Sequence, residues 1–151
     1  MGRANQFFIV VPVNPETHPT DCPSTRALAA KVRAGMHEGQ VSDEAIRFLD
    51  FVAAGKGVEC GRKGQLLTWG YVSNYGKASQ TAEELRPFWE GLWRLDDEGP
   101  LSHETALVVS QDEEGMPVAV QVGIDDEAFW DGRIEVRMRV SELPVGLMGG
   151  L

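Results

Sequence analysis

The chain has 151 residues, a net charge of −9, 42% hydrophobic residues and 25% charged residues. This length suits a single domain, and the composition is typical of a globular protein rather than a disordered, collagen-like or coiled-coil chain. The acidic balance argues against nucleic-acid binding, which requires a basic face to neutralise phosphates.

The sequence has no recognisable segment for secretion or membrane insertion. The apolar run near the N-terminus is short and contains Pro12, which does not fit a signal peptide, and no stretch approaches the length of a membrane span. The two cysteines, Cys22 and Cys60, do not make a disulfide framework. We therefore expect a cytoplasmic protein.

The first predicted element is a strand over residues 7–13, whose sequence FFIVVPV is apolar at both alternating sets of positions. Such a pattern is typical of a strand that is covered on both faces. Pro12 has no N–H to donate to a neighbouring strand, so we expect regular pairing to end near Val11. Residues 14–23 contain three prolines and predict a loop.

Two helices are predicted next. Ser24 is expected to cap the first, which runs to about Met36 and has an apolar stripe at every fourth position: Leu28, Val32 and Met36. Ser42 is expected to cap the second, and Gly55 is expected to end it. Its predicted buried side consists of Ile46, Leu49, Val52 and Ala53. Residues 57–64 predict a turn with a small basic cluster.

The middle of the chain predicts a strand and a third helix. Residues 65–75 read QLLTWGYVSNY, with Leu67, Trp69 and Tyr71 on one face. Thr81 and Glu84 match a capping box, in which each side chain satisfies a free backbone N–H at the start of a helix. Pro87 lies too deep in this helix to be tolerated, so it predicts a kink or a restart.

The last third predicts sheet. Residues 104–110 and 118–124 flank a turn and favour a hairpin, and residues 133–140 (RIEVRMRV) alternate strictly between apolar and charged. The order β-α-α-β-α-β-β-β indicates a two-layer α+β fold, in which about three helices pack on a mainly antiparallel sheet. We expect one domain over residues 1–142 and a mobile tail over residues 143–151.

A search for catalytic and metal-binding motifs favours a protein without enzymatic activity, cofactor or metal. No Gly-x-Ser-x-Gly elbow is present, and the three histidines (His18, His37 and His103) are scattered. Cys60 beside Arg62 and Lys63 is the better candidate for a reactive thiol, although an inert packed cysteine is the favoured interpretation. The acidic run near residue 125 lacks the spacing of an EF-hand.

Charge is distributed unevenly, with a net +1 over residues 1–75 and −10 over residues 76–151. Acidic triplets mark the ends of predicted elements, and Trp130 adjoins one of them. Because tryptophan is enriched at interface hot spots, we predict a partner-binding set: Asp96, Asp97, Glu98, Asp125, Asp126, Glu127, Trp130 and Asp131. The alternatives are that Phe129 and Trp130 fold back over the core, and that the charge serves only solubility.

Three functional hypotheses remain open. The first is a small acidic protein-binding module, an immunity-type or anti-defence inhibitor that docks on a basic surface of an effector such as a toxin or nuclease. The second is a small-ligand binder or enzyme whose site is assembled from scattered residues, with Trp69, Tyr71, Trp89 and Trp93 as candidate pocket residues that helical and strand spacing assigns more readily to the core. The third is a homo-oligomeric structural component joined through the edge of the terminal strand.

Overall fold

The computed structural model describes residues 5–13, 23–55, 58–61, 64–73, 77–94, 106–112 and 117–142. The predicted tail at residues 143–151 lies outside them. The elements in chain order are β1 Asn5–Val13, α1 Pro23–Ala34, α2 Asp43–Ala53, β2 Val58–Gly61, β3 Gly64–Ser73, α3 Ala78–Glu84, α4 Arg86–Arg94, β4 Ala106–Asp112, β5 Val118–Ile124, α5 Asp126–Trp130 and β6 Val136–Glu142.

The strands form one antiparallel sheet in the order β2-β3-β1-β4-β5-β6. It consists of five long strands and the four-residue edge strand β2, with β1 near its centre. This arrangement confirms the predicted α+β class, and the pairing of β4 with β5 confirms the predicted hairpin. None of the helices in the described ranges combines the length and the apolar character needed to cross a bilayer.

One face of the sheet is covered by the helices and forms the core. The register places Phe7 and Ile9 of β1 beside Tyr71 and Trp69 of β3, and places Ile9 beside Val108 of β4. On the helix side, Phe48 of α2 lies at the centre of an aromatic cluster, with ring-centroid distances of 5.8 Å to Trp69, 5.5 Å to Phe88 and 6.0 Å to Trp89. The Trp89 indole N–H donates to the Ala82 carbonyl at 2.9 Å, so this buried ring leaves no polar group unsatisfied.

The opposite face of the sheet, here called the open face, corrects the prediction that β1 is covered on both sides. Phe8 is 46% exposed and Val10 is half-buried, while Phe7, Ile9 and Val11 on the other face are buried. The strand also continues through Pro12 to Val13 instead of ending near Val11. In the part of the ladder that the structure describes, β4 pairs with β1 over Asn5–Val10, so the missing N–H of Pro12 costs no bond there, and Pro12 pairs with Leu66 of β3 on the other side.

Both predicted caps of the early helices require correction. Helix α1 begins at Pro23, because a proline is favoured in the first turn, where its missing N–H costs nothing, and Ser24 therefore lies inside the helix. Ser42 occupies the predicted N-cap position of α2, but its side chain makes no capping hydrogen bond. Its backbone N–H donates to Glu84 Oε2 at 2.8 Å, and its hydroxyl donates to Glu84 Oε1 at 2.6 Å.

The predicted capping box is wrong for the same reason. Helix α3 already begins at Ala78, three residues before Thr81, and the Glu84 carboxylate is used by Ser42 of another helix. The Thr81 side chain is fully buried, and its hydroxyl has no hydrogen-bond partner. A local motif has thus been replaced by a contact between helices that are distant in sequence.

Other predictions made from local sequence are confirmed. Gly55 follows the end of α2 with a φ of +72°, and its N–H donates to the Val52 carbonyl at 2.9 Å. Pro87 lies in the first turn of α4, so the helix restarts there. The stripe of Leu28, Val32 and Met36 packs against the core.

The later strands differ from their predictions in two places. The stretch predicted as a turn at residues 57–64 contains β2, which pairs with the start of β3. The last strand begins at Val136 rather than residue 133, because residues 126–130 form the short helix α5, which no pattern had predicted.

Candidate functional site

Five of the eight predicted partner-binding residues lie on the connection between β5 and β6. Asp125 is the N-cap of α5, Asp126, Glu127 and Trp130 belong to the helix, and Asp131 is its C-cap. Residues 125–135 are called the α5 turn below. The other predicted group, Asp96, Asp97 and Glu98, lies outside the described residues, so its part in the partner-binding set stays a prediction.

The backbone of the α5 turn is held by hydrogen bonds at both ends. The Asp125 carboxylate accepts from the Ala128 N–H at 3.1 Å, and the Asp125 N–H donates to the Glu135 carbonyl at 2.8 Å. The N–H of Arg133 donates to the Ala128 carbonyl at 2.8 Å. Gly132 has a φ of +79°, a conformation that favours glycine. The turn is therefore closed onto itself and onto the start of β6.

Arginines of the same chain pair with two of the predicted binding carboxylates, Asp125 and Asp131, and with Glu135 beside them. Nε of Arg137, in β6, lies 3.2 Å from Asp125 Oδ1. The Arg133 guanidinium lies 2.8 Å from Glu135 Oε1 through Nη1 and 3.7 Å from Asp131 Oδ2 through Nη2. The Arg137 and Arg133 side chains are themselves largely exposed, so these pairs are solvent-screened and individually weak. The α5 turn is thus a mixed-charge surface in which the acidic groups are in excess.

Trp130 is the most exposed of the large hydrophobic side chains described, at 84%. Its neighbour Phe129 is half-buried and lies edge-on to it, with ring centroids 5.9 Å apart, and Ala128 is buried. The expectation that both aromatics fold back over the core is therefore wrong for Trp130. Removing the apolar area of an indole of this size from water would contribute about 4–5 kcal/mol, which the fold of the described residues does not use.

A second apolar area lies on the open face of the sheet. Phe8 packs its ring over Gly70, where a Cβ would lie 3.5 Å from the ring, and Val72 beside them is 59% exposed. A depression of about 470 Å³ is lined by Phe8, Ile9, Val10, Phe51, Trp69 and Gly70. It is not confined to the open face, because Ile9 and Trp69 belong to the core and Phe51 packs against it. Its lining within the described ranges contains no polar side chain that would orient a ligand.

The aromatic residues considered for a ligand pocket belong mainly to the core. Trp69 and Trp89 are buried and Tyr71 is half-buried, stacked on Trp69 at a centroid distance of 5.7 Å and under the Arg47 guanidinium at 4.9 Å. The Trp93 side chain lies outside the described residues. The core interpretation of these residues is therefore confirmed for Trp69 and Trp89.

The remaining chemical candidates give no assembled site. Cys60 is in β2, but its side chain, like the whole of Cys22, lies outside the described residues. In the parts of the chain that the structure describes, no group of three or more histidine, cysteine, aspartate or glutamate side chains is arranged to hold a metal ion.

One ion pair with perturbed pKa values supports the sheet edge. The Arg86 guanidinium bonds both Glu83 carboxylate oxygens, at 2.8 and 2.9 Å, and this hydrogen bonding lowers the pKa of Glu83 and raises the pKa of Arg86. Arg86 also donates to the Val136 carbonyl at 2.8 Å. The arrangement ties the start of α4 to the start of β6, where the α5 turn ends.

Sequence reasoning found the residues of the α5 turn but missed its helix. The available signal was Asp125, an aspartate three residues before Ala128, which is the spacing of an N-cap.

No protein-family model matches the chain, and comparisons with curated proteins and with solved structures give no match.

Proposed function

We propose that this chain is a protein-binding module that anchors on Trp130. The observation that carries the proposal is the 84% exposure of this indole on a turn whose backbone is closed by hydrogen bonds. Tryptophan is among the residues that dominate binding energy when buried at the centre of an interface. An anchor on a rigid turn also loses little conformational freedom on binding.

The charge of the chain favours a cationic partner. The net charge of −9 would attract a basic protein over a distance, and the α5 turn itself carries five carboxylates against one arginine. Because own-chain arginines already pair several of these carboxylates, charge should act more on the rate of association than on the lifetime of the complex. An immunity-type or anti-defence inhibitor docked on a basic effector, such as a toxin or nuclease, is the form of this function that the charge supports.

The test compares Trp130→Ala with Val72→Ala, which also removes exposed apolar area but lies on β3, four strands away from β6. A partner isolated from extracts of the source cells on the immobilised protein is bound to each variant in a kinetic assay. We expect Trp130→Ala to weaken binding by about 30-fold or more, as hot-spot losses exceed about 2 kcal/mol, and Val72→Ala to change it little.

The same assay separates anchoring from charge. The association rate should fall steeply as salt is added, because electrostatic attraction between the partners is screened. Equal affinity of Trp130→Ala and the unmodified protein would overturn the proposed anchor. An association rate that is independent of salt would overturn the proposal of a cationic partner.

The charges on the edge strand β6 disfavour the homo-oligomer hypothesis. If two copies paired antiparallel through β6, a two-fold axis at Met138 would place Arg137 opposite Arg139, and an axis at Arg139 would place that residue opposite its own copy. Like charges directly opposite one another destabilise a strand pair. Light scattering on the purified protein would detect a dimer directly.

A further inference from the structure

We infer that the group which Trp130 receives is a lysine or arginine side chain of the partner, stacked on the indole and flanked by carboxylates of the α5 turn. This inference rests on the proposed function and adds the chemistry of the contact. A cation over the face of tryptophan is attracted by the negative charge density of the ring, and tryptophan is the strongest of the aromatic residues in this respect.

The arginines that the structure describes leave the indole of Trp130 unoccupied. Among the described residues, the cation recorded over an aromatic ring is Arg47, on Tyr71. Arg133, the nearest arginine along the chain, is held by Glu135 at 2.8 Å and Asp131 at 3.7 Å. The 84% exposure of Trp130 confirms that its ring is largely open to solvent.

Two exposed carboxylates, those of Glu127 and Asp131, lie near Trp130 along the α5 turn. Glu127 precedes Trp130 by three residues on α5, so the two side chains lie on the same side of the helix, and Glu127 is exposed. Asp131 directly follows Trp130, and its side chain is 70% exposed. A cation on the indole would therefore meet the Glu127 carboxylate on the same side of the helix, with the Asp131 carboxylate, which lies 3.7 Å from Arg133, next along the chain.

The residues around Trp130 favour a cationic ligand over an apolar one. An apolar ligand would be favoured by a continuous apolar rim, but the residues around Trp130 along the turn are exposed and mostly polar or charged: Glu127, Asp131, Gly132 and Arg133. Phe129 is half-buried against the protein itself. The turn carries a net charge of −4 over residues 125–135, which complements a cation.

The test uses a short arginine peptide and a counterpart in which citrulline, a neutral side chain of the same shape, replaces each arginine. Affinity for both peptides is measured by following the indole N–H signal of Trp130 in NMR spectra of the unmodified protein. The same affinities are measured for Trp130→Leu by calorimetry, with the unmodified protein as reference. Trp130→Leu keeps apolar area but removes the aromatic ring, and Trp130 is too exposed for its replacement to disturb the fold.

The measured quantity is the preference for the arginine peptide over the citrulline peptide. We expect this ratio to fall by about two- to fivefold in Trp130→Leu, because a solvent-exposed cation–π contact is lost. Asp131→Asn should lower the ratio more than Asp43→Asn, which removes the same charge from the exposed first turn of α2. An unchanged ratio in Trp130→Leu would show that the preference reflects overall charge, and the inference would be wrong.

The inference and the proposed function fail in distinguishable ways. The natural partner could bind Trp130→Leu with the affinity of the unmodified protein and fail to bind Trp130→Ala. Trp130 would then be an apolar anchor, so the inference fails and the proposed function stands. If the partner binds Trp130→Ala undiminished, both fail. Loss of binding in both variants supports both.

Discussion

Replacing Glu84 by alanine should destabilise the protein through the loss of a contact between helices α2 and α3. The Glu84 carboxylate accepts two hydrogen bonds from Ser42, one from the backbone N–H at 2.8 Å and one from the hydroxyl at 2.6 Å. Hydrogen bonds to charged groups contribute about 1.5–3 kcal/mol each, and these are only partly buried, so the lower end applies. We expect Glu84→Ala to lower the free energy of unfolding by about 2–3 kcal/mol.

Urea unfolding followed by circular dichroism measures this loss. Gln80→Ala on the exposed side of α3 serves as the matched control, because it truncates a side chain of the same helix without removing this contact. Ser42→Ala should cost about 1–1.5 kcal/mol, because it removes the hydroxyl bond and leaves the backbone bond to Glu84 in place. The loss of stability in Glu84→Gln should lie between those of Ser42→Ala and Glu84→Ala, because glutamine keeps one acceptor oxygen but loses the charge.

A double-mutant cycle between Ser42→Ala and Glu84→Ala tests the geometry itself. The shared hydroxyl bond should make the combined loss smaller than the sum of the single losses by about 1 kcal/mol. If the two losses add without coupling, or if Glu84→Ala is no more destabilising than Gln80→Ala, the proposed contact between α2 and α3 is refuted.

Three further predictions concern helices α3 and α4. Thr81→Val should raise the free energy of unfolding, measured with urea, by about 1 kcal/mol, because the buried Thr81 hydroxyl has no hydrogen-bond partner. A fall of about 1 kcal/mol would instead show that the hydroxyl makes a hydrogen bond. Gly91→Ala should lower the free energy of unfolding by about 1–3 kcal/mol, because the added Cβ would overlap Leu28 Cδ1 and lie 2.9 Å from Leu28 Cδ2. In a Leu28→Ala background the same substitution should cause no such loss. Stabilisation by Gly91→Ala alone would contradict this packing. Glu83→Gln should cost less than about 1 kcal/mol at neutral pH, because the carboxylate is 60% exposed. Arg86 lowers the pKa of Glu83, so this stabilisation is complete above the ordinary value of 4.5 and is lost as pH falls through the lowered pKa; a stability difference that persists in stronger acid would argue against it.

Elements with a clear local period could be predicted from the sequence. The stripe of Leu28, Val32 and Met36 and the helix restart at Pro87 depend on residues within a few positions of each other, and the structure contains both. Alternation identified the last strand, although not its first residues. Helix and strand periods carry this information because they record which side of an element is buried.

Contacts between distant residues could not be predicted in this way. Thr81 and Glu84 fit a capping box, yet in the fold Glu84 bonds Ser42, and the helix begins earlier at Ala78. Pro12 was expected to end its strand, but β1 continues to Val13 because it pairs with β3 along its whole length. In each case the deciding partner is supplied by the tertiary structure, which the local pattern does not contain.

Trp130 shows the same limit at the candidate site. The sequence allowed two interpretations of Trp130, an exposed anchor for a partner and a ring folded back over the core, as most large aromatic residues are. The outcome depends on α5, because the Asp125 cap and the bonds from Arg133 and Gly132 set the direction in which this short helix leaves β5. Phe129 then takes the inward position and Trp130 the outward one. Hydrogen bonds of the turn backbone thus hold an indole that is 84% exposed, and the partner proposed above would cover it.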